Sequence, residues 1–82
     1  MELDSILESM GFTPGEISET WKAIMEGIHL SICMHPWKGI AIGFWHSSER
    51  TISEGETFLR RDADRQEIAQ ALMQIHEKIH GK

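Results

Sequence analysis

The sequence predicts an α+β domain with two short N-terminal helices, a three-stranded antiparallel sheet in a meander, and a C-terminal amphipathic helix packed on that sheet. Strict apolar alternation begins at residue 28, helical apolar spacing precedes it, and helical spacing returns after residue 61. At 82 residues the chain has the length of a single domain. The prediction therefore divides it into an acidic helical segment (1–27), a sheet (28–61) and a helix (62–80).

The sheet prediction rests on two runs of alternating residues. In residues 28–35 every second side chain is large and apolar, which places one set on a single face of a strand: Ile28, Leu30, Ile32 and Met34. Pro36 ends this strand, and Gly39, which tolerates a positive φ, opens the second run over residues 39–46. The turn between the two runs predicts an antiparallel pair.

The third strand, expected at about residues 51–60, has a weaker pattern. If its two apolar ends faced the core, straight alternation would also point Glu54 and Glu56 into the core. Gly55 is therefore expected to mark a bulge that resets the register, or a break between two short strands.

The N-terminal helices are predicted from apolar spacing and capping residues. The first apolar stripe follows the i, i+3, i+4, i+7 rule: Leu3, Ile6, Leu7 and Met10. Gly11 is placed to end this helix in the left-handed conformation, with Phe12 folding back onto it. Thr13 then caps a second helix, with Pro14 in its first turn, that runs to about residue 26.

The C-terminal helix has its own cap and stripe. Asp62 or Asp64 can serve as its N-cap. Its apolar residues recur at helical spacing: Ile68, Leu72, Ile75 and Ile79. We expect this helix to lie across the apolar face of the sheet.

Charge and composition limit the class of protein. Residues 1–26 hold six acidic residues and one lysine, a net charge of −5, whereas residues 27–82 hold seven acidic and seven basic residues. The acidic segment is either a solvated face or a surface complementary to a basic partner. No run reaches the ~18 apolar residues of a membrane span, the N-terminus lacks the positive start of a signal peptide, and one cysteine forbids an internal disulfide. These features predict a cytoplasmic protein that does not enter a membrane.

Met10-Gly11-Phe12, placed between the two predicted N-terminal helices, resembles the Met-Gly-Phe loop of ubiquitin-associated domains. The resemblance covers the N-terminal segment only and implies that Met10, Gly11 and Phe12 form part of a ubiquitin-binding surface. The alternating run from residue 28 stands where that family has its third helix. Helix capping by Gly11 explains the same three residues without ubiquitin.

Two groups of residues could ligate a metal. His76-Glu77-Lys78-Ile79-His80 matches H-E-x-x-H and resembles the zinc site of metalloproteases, with Glu77 as general base, but a domain this small offers no substrate cleft. His76 and His80 are therefore weak candidates only. On the alternating strand, His29 and His35 are about 20 Å apart at ~3.3 Å per residue, so they cannot share an ion. We expect no metal and no cofactor.

Three arginines cluster where the sheet meets the last helix: Arg60, Arg61 and Arg65. The predicted helix-strand-strand-strand-helix order is similar to that of double-stranded RNA-binding domains, in which basic residues at this junction hold phosphates. The net charge of −5 has the wrong sign for a nucleic-acid binder. The arginines are alternatively ligand contacts in an oligomeric binder of a nucleotide-like molecule.

The sequence as a whole favours a non-enzymatic protein-interaction module, either an inhibitor or an adaptor. The predicted partner-binding residues are Glu16, Glu19 and Glu26 on an acidic helical surface, and Trp45 on the exposed face of the sheet with Trp37 at its rim. The partner is expected to be a protein with a basic surface, and the sheet face could also pair two copies as a homodimer. A small acidic chain without catalytic motifs is similar in type to phage proteins that block host defence complexes such as CRISPR effectors.

Overall fold

The computed structural model describes residues 3–81, which form one five-stranded antiparallel sheet and two helices. In chain order the elements are α1 (Leu3–Ser9), β1 (Thr13–Pro14), β2 (Thr20–Met25), β3 (Ile28–His35), β4 (Gly39–Ser47), β5 (Ile52–Leu59) and α2 (Arg65–His80). Each strand pairs with the next one along the chain, so the sheet order is β1-β2-β3-β4-β5.

The fold is α+β, but the predicted architecture of two N-terminal helices and three strands is wrong. The segment 1–27 contains one short helix and two strands within its described part, and residues 1 and 2 lie outside the described range. The sheet consequently begins at β1 instead of residue 28.

The predicted second helix is replaced by β1 and β2. In β2 the side chains of Trp21, Ala23 and Met25 join the core with a period of two, whereas Ile24 is 66% exposed on the other face. β2 pairs with β3 along all six of its residues, and this strand conformation still buries Trp21, so the pairing decides between the two periods. The alternation of Trp21, Ala23 and Met25 is hard to recognise in the sequence, because the methyl group of Ala23 is only weakly apolar.

The first helix is present, and its end has the predicted geometry. Gly11 has a φ of 98° and donates its N–H to the carbonyl of Glu8, while Phe12 donates its N–H to the carbonyl of Leu7. These two bonds form a Schellman motif, and the ring of Phe12 is buried beside the helix that it follows. The Met10-Gly11-Phe12 loop is thus a helix cap, and the described residues do not form the all-helical fold of ubiquitin-associated domains.

The two strands with the clearest alternation, β3 and β4, lie where the sequence predicts them. Their apolar side chains meet on one face, with Ile32 directly opposite Ile42. The β2–β3 hairpin turns at Glu26 and Gly27, whose φ values of 50° and 83° are both positive, as a type I′ turn requires. Gly39 has a φ of 91°, in agreement with its predicted turn position.

β5 is continuous, so the predicted bulge or break at Gly55 is wrong. Gly55 pairs in register with Phe44, and straight alternation does place Glu54 and Glu56 on one face. That face points away from the core. Ile52 and Phe58, the apolar residues toward the two ends of β5, lie on the same face and are exposed. Gly55 lies on the core face, where a Cβ would stand 2.8 Å from Cζ of Phe44, so the glycine leaves the space that this ring occupies.

α2 begins with a capping box and packs on the sheet. Asp64 accepts a hydrogen bond from the N–H of Glu67, and the Glu67 carboxylate accepts one from the N–H of Asp64. The helix buries Ile68, Ala71 and Ile75 in the same core that takes the apolar side of α1. Both helices therefore lie on one side of the sheet.

Within residues 3–81 no helix has the length and apolar character needed to cross a membrane.

Candidate interaction surface

The side of the sheet that faces away from the two helices is an open face. The strand register places on it Lys22 and Ile24 of β2, His29, Ser31, Cys33 and His35 of β3, Ala41, Gly43 and Trp45 of β4, and Ile52, Glu54, Glu56 and Phe58 of β5. Four of these side chains are large hydrophobic groups that are 40% to 66% exposed. Single exposed hydrophobic residues are ordinary, but four on one face make that face a candidate binding surface.

A trough of about 1060 Å³ crosses the open face from β2 to β5. Its floor is low where Gly43, which has no side chain, lies opposite Ser31. The two sides of the trough differ in charge, with Lys22 on the β2 side and Glu54 and Glu56 on the β5 side. The trough can therefore offer an ammonium group and two carboxylates to whatever lies across the sheet.

Aromatic rings stand toward both ends of the open face. Trp45 lies opposite His29, with ring centroids 5.3 Å apart and an edge-to-face angle of 71°. Toward the other end, the Phe58 ring meets His35 edge-on at 6.5 Å, and Nζ of Lys38 lies 5.4 Å from the Phe58 centroid. Each ring is packed against a neighbour, so this contact surface is formed before any partner binds.

The two predicted partner-binding tryptophans lie at different places. Trp45 is on β4 in the open face, whereas Trp37 is in the turn between β3 and β4 and is 89% exposed. The Trp37 ring lies edge-on to His35, at 6.3 Å between centroids, and its backbone N–H donates to Nδ1 of that histidine. Trp37 thus adds an exposed ring beyond the His35 end of the open face.

The predicted acidic residues do not form one surface. Glu16 and Glu19 lie in the loop between β1 and β2, and Glu26 lies in the turn at the opposite end of β2, so the predicted acidic helical surface is not formed. Glu16 lines a small hollow with Lys22, beside the open face. Glu26 is turned toward α2, where its Oε2 lies 3.1 Å from Nε2 of His76.

The carboxylates that share the open face are Glu54 and Glu56, which were assigned to no site from the sequence. They lie two residues apart on β5, so their side chains point the same way, and neither forms an ion pair within the described part of the chain. The sequence does contain a signal for this face. Glu54 and Glu56 stand at alternate positions between Ile52 and Phe58, which is the pattern of one exposed face of a strand. Lys22 was missed because β2 was predicted to be helical.

The three arginines lie near one another in sequence, but they donate hydrogen bonds to three different parts of the fold. Arg60 Nη2 donates to both carboxylate oxygens of Glu67, at 3.1 and 3.2 Å. Arg61 donates to a carbonyl in the β3–β4 turn, and Arg65 donates to a hydroxyl at the end of α1. The hydrogen bond that Arg60 donates to Glu67, then the negative charges of Glu67 and Asp62, raise the pKa of Arg60 above its ordinary value. With five strands, the chain also lacks the element order on which the resemblance to double-stranded RNA-binding domains rested.

His76 and His80 contact the turn between β2 and β3. His80 Nε2 lies 3.0 Å from the carbonyl oxygen of Glu26, and His46 meets the His80 ring edge-on at 5.1 Å. The Nε2 atom of His76 is buried near the Glu26 carboxylate but has no hydrogen-bond partner of good geometry. Among residues 3–81 no three His, Cys, Asp or Glu side chains are placed to hold a metal ion. In this structure both histidines of the H-E-x-x-H sequence lie against the turn between β2 and β3.

Together these features define a small α+β domain with one sheet face covered by helices and the other open. No protein-family model matches the sequence, and no curated protein or solved structure is significantly similar to it. The inference of function therefore depends on the chemistry of the open face.

Proposed function

We propose that this protein is a non-enzymatic interaction module that binds a partner protein through the open face. The observation that carries the proposal is the exposure of four large hydrophobic side chains on a sheet face that neither helix covers. Protein interfaces concentrate aromatic residues at their centres, and a few such residues supply most of the binding energy. Trp45 is the proposed anchor, because it stands at the trough beside His29 and Ile24.

The proposed partner presents basic groups to β5. Lys22 is the one cation among the open-face residues, whereas Glu54 and Glu56 supply two carboxylates without ion-pair partners in the described chain. The net charge of −5 adds a long-range attraction toward a basic surface. Such complementarity raises the association rate and disfavours partners of the wrong charge.

The proposal extends to an inhibitor or adaptor that works in the cytoplasm by covering a functional surface of its partner. A single cysteine, Cys33, remains a free thiol on the open face, which suits a reducing compartment. The similarity in type to phage inhibitors of host defence complexes stays a prediction from composition.

Partner capture with matched variants tests the proposal. Trp45→Glu places a charge at the proposed anchor, and Met73→Glu places the same charge on the outer side of α2, at a residue that is 63% exposed. The wild-type chain and the Met73 variant should retain the same stoichiometric partner from native cells, and Trp45→Glu should lose it. If all three chains retain the same proteins, the open face does not bind the partner.

The predicted homodimer would use the same face. The molecular mass in solution distinguishes it from binding of a different protein. Sedimentation equilibrium of the purified chain should give the mass of one chain if the open face is reserved for a different protein. A dimer that Trp45→Glu converts to a monomer would show that the open face binds a second copy, which would overturn the heterologous partner proposed above.

A second candidate function, binding of a small ligand, is favoured by the trough. Its volume of about 1060 Å³ is that of a small-molecule site, and the half-exposed Trp45 ring offers an aromatic surface to a ligand. Arg60, Arg61 and Arg65 do not line this trough, so a ligand here would not use them to hold phosphates. Native mass spectrometry of gently purified protein should then show a bound mass that Trp45→Ala removes, and a bare protein mass would count against this function.

A further inference from the structure

β5 is an edge strand whose outer hydrogen-bonding edge is free. The N–H of Ser48 donates to the carbonyl of Thr51 at 2.8 Å, which makes these two residues a hydrogen-bonded pair just beyond the β4–β5 ladder. Hydrogen-bonded and non-hydrogen-bonded pairs alternate along an antiparallel ladder. The core-face residues of β5 therefore bond to β4, and the backbone groups of its four open-face residues point outward. Within residues 3–81 these outward N–H and C=O groups have no hydrogen-bond partner.

The two edges of the sheet are treated differently. At one edge, β1 is two residues long and includes Pro14, which cannot donate a backbone hydrogen bond. At the other edge, β5 offers eight residues in straight register, without a bulge or a proline. Natural edges are usually blunted by short length, proline, bulges or charges. On β5 only the charges of Glu54 and Glu56 remain.

We infer that an extended segment of a basic partner protein adds to the sheet along β5. Basic side chains would lie opposite Glu54 and Glu56, and apolar side chains would lie opposite Ile52 and Phe58. The order apolar, acidic, acidic, apolar at alternate positions is the same from either end, so a segment of the pattern apolar-x-basic-x-basic-x-apolar fits in both directions. In this mode backbone bonds give affinity, and alternate side chains give specificity. The inference rests on the proposed function, because the added strand extends the open face.

A second copy of the chain is a poor occupant of this edge. Symmetric antiparallel pairing of two β5 strands about Gly55 places Glu54 of each copy opposite Glu56 of the other. A shift of the centre by one residue places Glu54 or Glu56 opposite itself. Like charges directly opposite each other destabilise strand pairs. The same two carboxylates that oppose self-pairing attract a basic segment.

Defined peptides test the inference. The probe is the acetylated, amidated peptide Val-Thr-Lys-Thr-Lys-Thr-Val, and its matched control has glutamate in place of both lysines. Titration followed by backbone-amide NMR detects weak binding and identifies the strand that responds. The lysine peptide should perturb the amides of β5 and bind roughly tenfold or more tightly than the glutamate peptide, from two attractive pairs against two repulsive ones.

Two isomers of the lysine peptide test the backbone contribution. One isomer is N-methylated at the amide nitrogens of both lysines and of the C-terminal valine. The other is N-methylated at the amide nitrogens of the three threonines. Only one alternate set of amides can face β5, so one isomer should lose binding and the other should keep it. Equal binding by both isomers would overturn strand addition.

Protein variants test the carboxylates. Glu54→Gln with Glu56→Gln should weaken binding of the lysine peptide about threefold to tenfold at an ionic strength of about 0.15 M. The matched pair Glu16→Gln with Glu19→Gln removes the same charge from the loop between β1 and β2, and it should leave the affinity within about twofold. Equal effects of the two pairs would overturn recognition at β5.

The inference and the proposed function fail in different ways. If partner capture depends on Trp45 but the lysine peptide leaves β5 unperturbed, the edge inference fails and the open face remains the binding surface. If capture does not depend on Trp45, the proposed function itself fails. A dimer in which the β5 amides are protected from exchange would also overturn the inference, because the edge would then be occupied by a second copy.

Discussion

Replacement of Gly39 by alanine tests the geometry that joins β3, β4 and the end of β5. Gly39 has a φ of 91°, a conformation that residues with a Cβ rarely adopt. An added Cβ would clash with the carbonyl oxygen of Leu59 and would lie 3.1 Å from the amide nitrogen of Arg61. Both neighbours are backbone atoms, so relief of the clash requires the chain leaving β5 to move.

The expected loss in the free energy of unfolding is about 2–4 kcal/mol. The left-handed conformation accounts for about 1–2 kcal/mol of this loss. Displacement of the backbone weakens the pairing of Ile40 with Leu59, at about 1 kcal/mol for each hydrogen bond that is lost. An 82-residue domain has on the order of 4–12 kcal/mol of stability in total. The melting temperature should consequently fall by on the order of 10–25 °C.

Urea unfolding followed by tryptophan fluorescence measures this loss, since Trp21 is buried in the folded chain. Gly43→Ala is the matched control on the same strand. Its added Cβ meets no atom closer than 3.8 Å and its φ is not positive, so its stability should stay within about 0.5 kcal/mol of wild type. If Gly39→Ala is as stable as wild type, or if Gly43→Ala loses as much, the described turn geometry is refuted.

The same urea titration checks five further substitutions, two of which are controls. Ile68→Ala should lose about 2–5 kcal/mol because this side chain is fully buried, whereas Ile52→Ala, at an exposed residue, should change stability by less than ~0.5 kcal/mol. Asp64→Ala should lose about 1 kcal/mol with the capping box of α2, and Asp62→Ala, which leaves that box intact, should not. Glu26→Asn should stabilise the chain, because asparagine favours the positive φ of a type I′ turn, and a net loss would show that the contact of Glu26 with α2 matters more.

The correctly predicted elements each carry a local pattern and a local stop signal. β3 shows uninterrupted alternation and ends at Pro36, and α1 ends at Gly11 with a Schellman motif. β2 has no such local signal, since Trp21 fits a helical stripe and a strand equally well. Its conformation is decided by pairing with β3. Sequence patterns alone do not weigh such non-local pairing.

The candidate site was predicted only in part, for a related reason. Trp45 was found because alternation along β4 was clear. Glu54 and Glu56 conflict with a regular strand only if Ile52 and Phe58 face the core, and the predicted bulge at Gly55 depends on that assumption. An edge strand has few neighbours on its core face, so its hydrophobic residues need not be buried there. On β5 they lie outside with the carboxylates, and that arrangement makes the open face amphipathic.

The unequal edges of the sheet also set a limit on assembly. Unlimited growth by head-to-tail addition needs two competent edges on every copy, so that each new strand exposes another site. Here one margin ends in the two residues of β1, which include Pro14, and cannot continue a ladder. Strand addition at β5, as inferred above, would therefore occupy the one long regular edge that residues 3–81 offer, which leaves no second edge of that length from which a fibre could grow.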